Sequence, residues 1–172
     1  MIYNIHPIFV HFPIALLFIY SFIKVLPFEK YFQKVSWKHI EILLLTIGVT
    51  GAFIASSTGE SAEHQITVNR QLVEMHSTFA SISIILFCAL LLGELLSFIT
   101  ISFVPTKLNL PKFNNLLIFI QKILTNKIFS KIIAFLGLIA ISVTGLLGGI
   151  IVYGVLADPI AVPLLSLLKI TL

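Results

Sequence analysis

The stretch FSKIIAFLGLIAISVTGLLGGIIVYGVL, Phe129 to Leu156, holds a single charged residue, Lys131, from end to end. A helix on the surface of a soluble domain needs a polar face, and this stretch offers none. Crossing the hydrocarbon of a bilayer takes about 20 mostly apolar residues, so the stretch is predicted to be a membrane span. Working outward, three more stretches meet the same test: Ile8 to Pro27, His39 to Ser57 and Met75 to Val104. Everything between them is too short or too polar. The whole chain agrees: of 172 residues 58% are hydrophobic and 10% charged, and the mean hydropathy of +1.09 is far above that of a soluble domain. The expected fold is all-α, an integral membrane four-helix bundle that uses residues 1–172 as one domain.

The first span differs from a secretory signal, because Met1 to Pro7 carries no Lys or Arg. It is expected to be a retained helix. Cys88 is the only cysteine and sits in the middle of the third span, so it implies nothing about redox compartment.

The formal charge is +4, but ten of the eleven basic residues are lysines, and most sit in loops beside the spans. Membrane topology accounts for them better than a nucleic acid does. Lys24, Lys30, Lys34 and Lys38 lie between spans one and two; Lys107, Lys112, Lys122, Lys127 and Lys131 lie between spans three and four. The opposite side has only Arg70 and Lys169, with Glu60, Glu63, Glu74 and Asp158. Positive residues stay inside, so both termini are expected to be extracytoplasmic. Asn114 to Lys131 interleaves apolar residues with Gln and Lys, which predicts an amphipathic helix on the inner surface between spans three and four.

Four of the five histidines then share the outer side. His6 and His11 flank the start of span one; His64 and His76 sit in the outer loop and at the start of span three. His39 falls among the inner lysines and is assigned no role. Pro7 disfavours a helical His6, which is expected to precede the helix. His11 lies about one turn inside, where a polar ring needs a neighbouring helix or a cofactor. Pro13 should push away the carbonyl of Phe9 and open the helix beside His11. Small residues fall at the same depth: Ala80 and Ser83 below His76, Gly51, Ala55 and Gly59 on span two, and Gly145, Gly148 and Gly149 on span four. They suit close helix packing, and equally a bulky planar group.

Two imidazoles on different helices, at similar depth among glycines, form the arrangement that holds low-spin haem b. His11 and His76 are the expected axial ligands, with His6 and His64 as alternates; Gly145 and Gly149 would face the porphyrin. Arg70 would pair with the propionates. The iron would be saturated, which favours electron relay over catalysis. A copper or zinc site from His64, Glu60 and Glu63 is the rival metal reading. The sequence has no nucleophile with a base and no phosphate-binding glycine loop, so an enzyme is not expected.

The segments HPIFVHFPIALL (His6 to Leu17), STGESAEH (Ser57 to His64), HSTFA (His76 to Ala80) and GGIIVYG (Gly148 to Gly154) resemble a bacterial membrane-protein family, the domain of unknown function 2231. The resemblance covers the four-span body to about residue 158. It implies the bacterial inner membrane and, because related domains accompany c-type cytochrome modules, a redox setting. The expected function is a small b-type cytochrome subunit near the extracytoplasmic face, with the bilayer and a c-type cytochrome or respiratory-complex subunit as partners. The alternatives are a structural or assembly subunit, in which the histidines serve as interhelical hydrogen-bond donors, and the copper or zinc protein.

Overall fold

A computed structural model describes residues 6–63, 69–102 and 111–170, and among these every regular element is helical. The four expected spans are α1 (His6–Val25), α3 (Trp37–Glu63), α4 (Arg70–Ser102) and α6 (Lys127–Tyr153), all long and apolar enough to cross a membrane. Between them lie the single turn α2 (Phe28–Tyr31) and the amphipathic α5 (Pro111–Leu124); α7 (Ala161–Leu167) follows α6. The span boundaries shift by two to six residues from those expected. His6 occupies the first turn of α1 instead of preceding it, because its ring is held against α3 and α4. The α3 helix runs past Ser57, the expected end of span two, through Glu63.

Each span packs on the span before it, and α6 closes the ring against α1. That order puts α1 and α4 diagonally across the centre. Three contacts cross this diagonal in sequence along the axis. The His6 and His76 rings meet at one end, with centroids 6.5 Å apart. Tyr20 meets Phe87 in the middle, at 6.1 Å and edge to face. Lys24 Nζ comes within 4.0 Å of Glu94 at the other end.

Hydrophobic collapse does not drive helices together inside a bilayer, so close fit must. Glycine provides it. A Cβ on Gly48 would stand 2.6 Å from Leu17 and one on Gly51 3.3 Å from Pro13, so α1 lies directly on the α3 backbone. Gly137 does the same for Phe87 between α4 and α6, where a Cβ would come within 2.9 Å of the ring. The α1 helix continues through the buried Pro13.

The lysine-rich end is tied by ion pairs. Lys24 donates to Glu41 at 2.6 Å, and Lys38 donates to Glu94, so α1, α3 and α4 share one charge cluster. Glu41 is only 6% exposed. Lys131 of α6 donates to the Val25 carbonyl at 3.1 Å, satisfying the open end of α1. The α5 helix runs antiparallel beside the end of α4: Leu124 fits over Gly93, and Gln121 donates to Ser97. Leu116, Phe119 and Ile123 remain exposed on α5. At the histidine end, α7 is seated by Ala161 and Leu165 packing with Leu72, Leu147 and Ile150.

Removing one partner of a buried ion pair leaves the other charge stranded, at a cost of about 3 kcal/mol. Glu41→Ala should therefore lower the unfolding free energy by that order in a detergent-denaturation titration, and Lys24→Met with Glu41→Leu should recover most of it.

Candidate histidine site

His6 enters the bundle because it shares a helical stripe with Pro13, Leu17, Tyr20 and Lys24, the residues that face the centre. Its Nδ1 lies 3.0 Å from Thr58 Oγ1. The Thr58 hydroxyl spends its one hydrogen on the Ala55 carbonyl, at 2.9 Å, so it accepts from His6 Nδ1–H. His76 Nδ1 lies 3.0 Å from the Thr144 carbonyl, which can only accept, so this nitrogen too carries its proton. In the neutral ring each histidine therefore keeps its lone pair on Nε2. Such an Nδ1–H bond to an oxygen is the usual way a ligating imidazole is oriented. The ring planes stand at 88° to each other. A glycine flanks each ring, one from each of the remaining helices: a Cβ on Gly59 of α3 would stand 3.1 Å from His6, and one on Gly148 of α6 3.2 Å from His76.

His11 does not join them. Five residues beyond His6, it lies about 140° further round the helix. Its ring is exposed, and Nδ1–H donates to the Pro7 carbonyl one turn back. Gly145 and Gly149 also turn away from the histidine pair. They line an open groove of about 450 Å³ between α1 and α6, whose lining includes neither His6 nor His76. The small residue that meets His76 is Gly148, one position or 100° from Gly149. Arg70, with its side chain 90% exposed, pairs at 2.8 Å with Glu74 one turn along. His64 and the Glu63 side chain, two of the three proposed copper or zinc ligands, lie outside the described residues; Glu60 is exposed. Among the described residues no group of three or more His, Cys, Asp or Glu side chains is placed to hold a metal ion.

Sequence reasoning missed the two oxygens that orient the pair. Thr58 is visible only as part of the STGESAEH segment, and the Thr144 carbonyl is backbone, which leaves no side-chain signal.

Residues 3–156 match the family described as predicted membrane protein DUF2231. The chain belongs to this family. No curated protein and no solved structure matches it. Within this DUF2231 chain the matched region ends three residues beyond α6, so it contains all four spans and both members of the histidine pair.

The glycine contacts separate two neighbouring positions. Gly148→Val should overpack the His76 ring and cost about 1–3 kcal/mol. Gly149→Ala, with nothing within 4 Å of its Cβ, should melt at the parent temperature or slightly above it in the same detergent.

Proposed function

We propose that this DUF2231 protein is a small membrane electron carrier of the b-type cytochrome kind, with His6 and His76 as axial ligands of one haem. The observation that carries the reading is the pair of imidazoles crossing the bundle, each oriented by an Nδ1–H bond to an oxygen on a neighbouring helix. Ligand count favours haem over a bare ion. Structural zinc takes four protein ligands and catalytic zinc three, whereas a porphyrin supplies its own equatorial nitrogens and asks the protein for two. The two rings come from helices on opposite sides of the bundle and stand with centroids 6.5 Å apart. Gly59 and Gly148 let the two imidazoles lie directly on the backbones of α3 and α6.

Bound there, haem b supplies reversible one-electron exchange. The protein's share is to fix both rings through Thr58 and Thr144, to surround them with apolar helices, and to set them at one end of the bundle. An electron donor or acceptor would therefore meet the protein at that end. By the lysine count that end is extracytoplasmic in a bacterial inner membrane, where a c-type cytochrome or a second subunit would be the partner.

A structural or assembly subunit is the second reading. It is favoured by the same bonds seen differently: His6 ties α1 to α3 and His76 ties α4 to α6 without any cofactor.

A reduced-minus-oxidised visible spectrum of protein purified from haem-replete cells distinguishes the two. Sharp α and Soret bands are expected, lost in both His6→Ala and His76→Ala and kept in His11→Ala. Colourless parent protein would overturn the cytochrome reading, and loss in His11→Ala would overturn the ligand assignment.

A further inference from the structure

The groove between α1 and α6 has no part in the histidine site. Ile14 and Phe18 form one wall, Gly145 and Gly149 the other, and Tyr153 and Asp158 stand at its histidine-end mouth. It faces outward from the bundle, where lipid would lie, so whatever enters it dissolves in lipid. Its chemistry is divided. The body is apolar, and the two glycines leave a flat strip of backbone on α6. The mouth carries a phenol and a carboxylate, one oxygen of which takes the Ile160 N–H at 2.8 Å. His11, outside the lining, lies on the same face of α1 as Ile14 and Phe18, three and seven residues before them. Ile14 approaches Gly145 to 3.8 Å from where its Cβ would be. In antiparallel helices this sets His11 level with Gly148, the residue on which His76 packs.

We infer that this groove binds the ring of a membrane quinone or quinol. A flat ring suits a strip without Cβ atoms. An isoprenoid tail suits a wall of Ile14 and Phe18 that opens to the bilayer. Ring hydroxyls and carbonyls suit a mouth that can accept through Asp158 and donate through Tyr153. A phospholipid matches the apolar body but not the mouth, since its phosphate would meet the Asp158 carboxylate. Gly148 and Gly149 are consecutive on α6, about 100° apart, the first against His76 and the second in the groove, so both sites share one turn of α6. The groove's place as the donor side of the relay rests on the cytochrome reading; binding itself does not.

The test is photolabelling of the full chain in nanodiscs with an azido-ubiquinone analogue, beside an azido-phospholipid control, with labelled peptides identified by mass spectrometry. Label is expected on α1 and α6 residues that border the groove, and decylubiquinone should compete it away. Gly149→Leu fills open space, so it should keep the parent melting temperature and cut labelling about tenfold, the effect of losing one well-placed set of contacts. Asp158→Asn with Tyr153→Phe should weaken competition by decylubiquinone by a similar factor. Label spread evenly over the lipid-facing helices, equal capture of the phospholipid probe, or unchanged labelling in Gly149→Leu would overturn the site. Haem content, read on the same preparation, tests the cytochrome reading separately.

Discussion

A polar side chain inside a bilayer bundle must find its partner within the protein, because the surrounding hydrocarbon offers none. In this chain that constraint is met along one diagonal. The partners of α1 are drawn from α3 and α4 at both of its ends: Thr58 and His76 for His6, Glu41 and Glu94 for Lys24. The stripe on α1 that holds His6, Pro13, Leu17, Tyr20 and Lys24 is therefore fixed in rotation at both ends. Rotating α1 by one residue would take the imidazole of His6 and the ammonium of Lys24 away from their partners together. The glycines of α3 and α6 make this rotation the close-packed one as well.

The two ends of the diagonal differ in what they can do. At the lysine-rich end Lys24 and Lys38 pair with Glu41 and Glu94. That cluster locks three helices together. At the histidine end the groups that meet are alike, and neither imidazole can satisfy the other as an acid satisfies a base. Each is instead anchored through Nδ1 to an oxygen on a neighbouring helix. Membership of DUF2231 supports the membrane setting of this arrangement; its chemistry rests on the two rings and their anchors.

Much of the fold was legible in the sequence because length and hydropathy decide spans, and short connections make consecutive spans neighbours. The glycine series Gly51, Ala55, Gly59 was legible too, as it lies against α1. Pairing of the histidines was harder to read. His11 attracted attention by lying deeper in an apolar run, yet helical rotation, not depth, decides which ring faces the centre, and the stripe through Leu17 and Tyr20 selects His6. Similarly, Gly145 and Gly149 share a face of α6, but the face toward His76 is that of Gly148. Glu41 and Glu94 read as isolated residues near span ends because their partners lie on other helices, at sequence separations that no local pattern spans.

In the proposed function His6 and His76 act as one pair of iron ligands. Frozen-solution electron paramagnetic resonance of the oxidised, haem-loaded protein tests it most directly, since the spin state of ferric iron reports whether both axial positions are filled by strong-field nitrogen. A low-spin ferric signal is expected, turning high-spin or disappearing when either histidine is replaced. A high-spin signal from the parent protein, or a low-spin signal that survives replacement of both His6 and His76, would contradict it.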